Sequence, residues 1–119
     1  MASKLWTRPV SLLTKVRDVL GLRIGVITTL GDFTNQQGRD LLTHAGLAGF
    51  LDPNGFVSEH DTNGVGKPAA VIYEHAANKA GVPIGNCLFV GENLLEVIGA
   101  KAAGMQALLK PFPPGRDVL

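Results

Sequence analysis

The chain has 119 residues, 45% hydrophobic and 18% charged, with a formal net charge of +1, which fits one domain large enough to bury a core. With no Lys/Arg run, nucleic-acid or anionic-membrane binding has no electrostatic support. The single cysteine excludes an internal disulfide framework, and neither a signal-peptide core nor a run of roughly 18 apolar residues is present, so a cytoplasmic protein is expected.

Ser11–Leu20 reads as a first helix, with Leu12, Leu13, Val16, Val19 and Leu20 on one face and Gly21 ending it. Leu22–Thr29 is β-branched and nearly continuous in apolar character, as in a strand covered on both faces. Thr34 and Gln37 stand at capping-box spacing and open a helix to about His44, with Leu41, Leu42 and Ala45 towards the core. Gly55–Glu59 is a short, peripheral strand, and His60–Gly66 is a polar loop. Lys67-Pro68 opens the next helix, with Pro68 at its first position. Its apolar stripe is Ala69, Ile72, Tyr73, Ala76 and Ala80. Cys87–Val90 is too short for a helix and reads as a buried strand with an inert thiol. A helix follows the turn Gly91-Glu92, and Met105–Lys110 is the last strand. Prolines at 111, 113 and 114 exclude a sheet interior. The expected unit is a single domain over 1–119, with a core at 10–110 and a tail at 111–119.

This alternation implies a parallel, doubly wound α/β sheet, Rossmann-like and three-layered, whose ligands bind beyond the carboxyl ends of the strands. Lys67 at one such loop and Glu92 and Glu96 at the next would meet there. The histidines, His44, His60 and His75, lack the close pairing of a zinc site. Gly64-Val65-Gly66-Lys67 is followed by Pro, so it is not a Walker motif.

Lys67-Pro68, the run Gly91-Glu92-Asn93-Leu94-Leu95-Glu96, and Gly99-Ala100-Lys101-Ala102-Ala103-Gly104-Met105 resemble the third and fourth motifs of the haloacid dehalogenase superfamily of phosphohydrolases. The fourth motif there is roughly GDxxxD; both aspartates are glutamates here. Leu22–Thr29 aligns with the second motif, a strand ending in Ser or Thr. The resemblance implies a phosphate or anion site at Thr28, Thr29 and Lys67, and Mg²⁺ at Glu92 and Glu96. A capping box of Asn93 and Glu96, with Glu92 near the positive helix end, explains the same carboxylates without metal.

The family's DxDxT strand, which supplies nucleophile and general acid, has no counterpart in this sequence, nor has its cap domain. The resemblance therefore implies a haloacid-dehalogenase-like core without its first strand. The expectation is a binding or assembly module without catalysis of its own. The alternative is a Mg²⁺-dependent phosphohydrolase part whose nucleophile strand comes from another chain or was lost. In the resembled fold the missing strand is central, so the strands at Leu22–Thr29 and Cys87–Val90 would either close up and pair directly or, the favoured outcome, present open edges. A homo-oligomer, or a protein partner completing the sheet, is expected.

Overall fold

A computed structural model describes residues 12–110 and orders them as two consecutive βαβ units joined by a helix. In the first unit, strand β1 (Val26–Thr28), helix α1 (Asn35–His44) and strand β2 (Phe56–Ser58) place Val26 beside Phe56 and Thr28 beside Ser58 in a parallel pair. In the second, strand β3 (Leu88–Gly91), helix α3 (Leu94–Ala103) and strand β4 (Gln106–Leu109) pair Leu88 with Gln106 and Gly91 with Leu109, again in parallel. Helix α2 (Ala70–Ala80) connects them. The expected parallel α/β arrangement is present, but as two separate two-stranded sheets; among the described residues β1 and β3 do not pair.

The hydrogen-bond pattern shows which groups that separation leaves at the edges. Val26 N–H donates to Gly55 O at 2.7 Å, so Val26 and Thr28 direct their backbone polar groups to β2 and Ile27 directs its own away. In the second sheet Gln106 N–H donates to Cys87 O at 2.9 Å and Lys110 N–H to Gly91 O at 2.8 Å. By the same alternation Phe89 faces β4, while Leu88 and Val90 turn their N–H and C=O outward.

One core spans both units. Val57, Ile72, Tyr73, Ala77, Ala100 and Met105 are buried together, with Ile27, Phe89 and Ala107 packed against them. The Tyr73 and Phe89 rings meet edge to face with centroids 5.4 Å apart, a favourable aromatic geometry. The β1–β2 pair is covered on both faces. Val57 points into the shared core, while Phe56 lies under Gly38 of α1 and beneath the Arg39 guanidinium. The β3–β4 pair is covered on one face only: Leu88, Val90 and Leu108 are each more than half exposed. Three layers thus exist in the first unit and two in the second, among the described residues.

Several sequence expectations change in detail. Of the expected first helix, Ser11 lies outside the described residues, and Lys15–Val19 forms a π-helical turn with Val19 and Leu20 exposed. The strand expected over Leu22–Thr29 shortens to Val26–Thr28; ahead of it the Ile24 carbonyl accepts from Asp52 N–H at 2.8 Å, in the turn before β2 rather than in β2. The Thr34–Gln37 capping box forms as expected, but Leu41 of that helix is exposed and Gly38 is its buried residue. β2, expected to be peripheral, is buried along its whole length. Helix α2 begins at Ala70 rather than at Pro68; the Lys67–Pro68 peptide is cis and Ala69 N–H closes a turn onto Gly66 O. Cys87 is half-buried, and burial pushes its thiol pKa up. The proline-rich stretch at 111–119 lies outside the described residues. No described helix is long and apolar enough to cross a membrane.

Candidate functional site

Lys67 brings the two units together. Its Nζ donates to the Ile27 carbonyl at 2.8 Å and pairs with Glu96 Oε1 at 3.0 Å. Ile27 O is one of the outward edge groups of β1, and Glu96 sits in the first turn of α3, just beyond β3. The lysine side chain is 14% exposed and its ammonium lies 5.9 Å from the Phe89 ring centroid. It is thereby fixed at the carboxyl ends of β1 and β3, where parallel sheets bind ligands.

Glu96 is positioned from both sides. Asn93 caps α3, its side chain accepting from Glu96 N–H at 3.1 Å. The Tyr73 hydroxyl donates to the Glu96 carbonyl at 2.6 Å. Burial first, and then the Glu96 charge, pushes the Tyr73 pKa up to about 12, so the phenol remains a donor at neutral pH. Close approach of α3 to the lysine loop depends on Gly99, where a Cβ would lie 2.6 Å from Pro68 Cβ and 3.0 Å from Pro68 Cα. The sequence reading gave Glu96 a capping role through its carboxylate. Asn93 supplies the cap, and the Glu96 carboxylate turns to Lys67 instead.

Thr28 ends β1 and Thr29 follows it. Thr28 is half-buried, Thr29 is exposed, and neither hydroxyl forms a hydrogen bond with another described residue. The Thr29 hydroxyl lies 3.8 Å from the point a Cβ would occupy on Gly66, so the lysine loop passes directly beside it. Thr28, Thr29 and Lys67 thus converge on one end of the molecule. This arrangement offers hydroxyls and one ammonium to an anion.

The carboxylates fit Mg²⁺ poorly. Glu96 is neutralised by Lys67, Glu92 is exposed in the turn before α3, and no cluster of three metal-ligating side chains occurs among the described residues. An ammonium 3.0 Å from a carboxylate oxygen opposes a second cation at the same oxygen.

Sequence reasoning missed Glu59. This carboxylate is buried, accepts from Leu30 N–H at 2.8 Å and from Gly31 N–H at 2.9 Å, and thereby holds the segment that follows Thr28 and Thr29. Those two amides, Leu30 first, keep its pKa below the ordinary carboxylate range against the cost of burial. Behind it, the Ser58 hydroxyl accepts from His60 N–H and the Asp61 carboxylate accepts from Ser58 N–H at 2.9 Å, fixing the turn on which Glu59 stands.

The family model for haloacid dehalogenase-like hydrolases matches residues 9–104. Among solved structures, a HAD family hydrolase from Deinococcus radiodurans R1 with bound phosphate and sodium superposes with a TM-score of 0.65 at 20% identity. The match covers 80% of this chain and 39% of that one. An uncharacterized protein from Corynebacterium glutamicum ATCC 13032 Kitasato gives a TM-score of 0.58 at 22% identity, covering 92% of this chain and 73% of that one. These likenesses establish the fold. No curated protein matches.

Proposed function

We propose, from the premise that this chain belongs to the haloacid dehalogenase-like hydrolase family, that it is a phosphate-binding domain without hydrolytic turnover of its own. The observation that supports this reading is the Lys67 ammonium fixed by Glu96 and by the carbonyl of Ile27, the residue before Thr28, with the Thr29 hydroxyl near Gly66 of the same loop. Bound phosphate in the Deinococcus relative agrees with it. Turnover through an aspartyl intermediate needs a free carboxylate as nucleophile. The sequence has no DxDxT run to supply it, and Glu96 is ion-paired while Glu59 is committed to two amides.

The test is calorimetric titration of the chain with inorganic phosphate, alongside hydrolysis of p-nitrophenyl phosphate with and without Mg²⁺. Saturable binding that weakens by about tenfold or more in Lys67→Met, the loss of one charge-assisted contact, is the expected result. No Mg²⁺-dependent turnover should accompany it. Equal phosphate binding by parent and variant overturns the site, and robust turnover overturns the non-catalytic reading.

The open edges favour assembly as a second element of the same reading. Leu88 and Val90 on β3 direct backbone groups away from β4 and the exposed face beside them is apolar, whereas on β1 the outward Ile27 carbonyl is already taken by Lys67. Such edges take an added strand, here from a second copy or a protein partner. A strand carrying a carboxylate would make the assembly, rather than the chain, the phosphohydrolase. Sedimentation at micromolar concentration should show self-association, or a monomer that captures an added apolar strand peptide. A monomer that captures none refutes the assembly element.

A further inference from the structure

Glu59 is a buried carboxylate that neither the Lys67 pair nor the core packing uses. Its oxygens lie against two consecutive backbone amides, Leu30 at 2.8 and 3.1 Å and Gly31 at 2.9 Å. These bonds reach 29 and 28 residues back along the chain, so they are tertiary contacts. Consecutive N–H groups converging on one point form an anion-binding nest, and Glu59 fills it from within the fold. Its Cβ also lies 3.4 Å from the place a Cβ would take on Gly66, next to Lys67. One side chain therefore bonds the segment after Thr28–Thr29 and lies close to the residue before Lys67.

We propose that Glu59 is a positioning residue of the anion site: it holds the Thr28–Thr29 strand end and the Gly66–Lys67 loop in register without touching the anion. The proposal rests on the anion-binding reading above and extends it to the residue that sets the site's geometry. A fully charged carboxylate suits this position, because both oxygens accept and no donor faces the Leu30 and Gly31 amides. Glu59→Gln keeps the volume but places an NH₂ donor against an N–H.

The test compares the parent chain with Glu59→Gln by ¹⁵N-resolved NMR, without and with inorganic phosphate. Three results are expected in the variant. Leu30 and Gly31 amides exchange faster, Lys67 and Thr29 resonances shift before any ligand is added, and phosphate affinity falls by about tenfold, as for loss of a hydrogen bond to a charged group. The β3–β4 amides should stay protected as in the parent, separating loss of position from loss of fold. Unmoved Lys67 and Thr29 resonances, or phosphate affinity within about twofold of a binding parent, overturn the proposal. If the parent itself binds no phosphate, the anion-binding reading fails separately. Displacement of Gly66 and Lys67 in the ligand-free variant then still supports the clamp, and its absence overturns it. Should Glu59→Gln fail to fold, Glu59→Asp, which keeps the charge on a shorter arm, is read by the same resonances.

Discussion

Breaking the Lys67–Glu96 pair should cost more than a surface ion pair and less than a fully buried one. Exposed pairs contribute ~0.2–1 kcal/mol, and removing one partner of a buried pair costs ~3–5 kcal/mol. The lysine side chain is 14% exposed and the glutamate 30%, so the pair lies between these limits. Lys67→Met retains the stem beside Phe89 but releases Glu96 and leaves the Ile27 carbonyl without its donor. An unsatisfied buried group costs ~1–3 kcal/mol, and the same range is expected for the whole substitution. Glu96→Gln removes the charge alone and should cost ~1 kcal/mol or less, since its partner keeps the Ile27 bond. Urea denaturation of the parent, both single variants and the double variant gives the coupling energy, expected near ~1 kcal/mol. Low exposure also limits screening, so most of the coupling should persist at high salt. Coupling below ~0.3 kcal/mol, within the range of independent sites, would refute the claim that this pair ties the two units together.

Asn93→Ala should lower stability by ~0.5–2 kcal/mol, the usual loss of an N-cap, equally with and without Mg²⁺ in thermal melts. Gly99→Ala should destabilise despite a helix-propensity gain of ~1 kcal/mol, because the added Cβ meets the Pro68 backbone and overpacking costs ~1–3 kcal/mol; the same variant should separate Glu96 from Lys67, detectable as a loss of their coupling. For Glu59, whose folded-state pKa is depressed, the stabilisation is fully present above the unfolded value of about 4.3 and is lost as pH falls towards the folded value. The stability difference between parent and Glu59→Gln should therefore shrink on acidification through that window, and a constant difference in urea melts would refute the assignment.

Local signals in the sequence located most elements. The Thr34–Gln37 capping box, the Ile72–Tyr73 stripe and the apolar runs that became β1, β3 and β4 depend on neighbours within a few residues. The capping box and the stripe persist, while the first strand shortens to Val26–Thr28 and the strand expected to be buried at Cys87–Val90 becomes Leu88–Gly91 with Leu88 and Val90 exposed. The motif resemblance singled out Thr28, Thr29 and Lys67, and the fold brings Lys67 to the Ile27 carbonyl with Gly66 near Thr29. Glu59 gave no signal, because a single glutamate after a three-residue strand has no periodicity and its partners lie 29 and 28 residues away. Glu96 meets Lys67 as the loop positions imply, but the reciprocal capping box with Asn93 does not form. Its spacing from Asn93 suits a local reciprocal cap, but a tertiary ammonium competes for the same carboxylate and wins. Likewise the run that β-propensity alone would start at Leu22 enters the ladder only at Val26, since Asp52, outside β2, takes the Ile24 carbonyl.

Division of the sheet into two parallel pairs also decides how disturbance spreads through the molecule. In a continuous sheet, load passes from strand to strand through the backbone ladder. Here that route stops at Ile27 on one side and at Leu88 and Val90 on the other. What remains is side-chain packing on α2, whose Ile72 and Tyr73 have no exposed surface, and the single lysine arm. Each βαβ unit is then a block with its own backbone ladder, and α2, with the core that spans both units, is the ground they share. Opening either block strips that helix of part of its cover, so its amides report on both openings, while each strand pair reports only on its own.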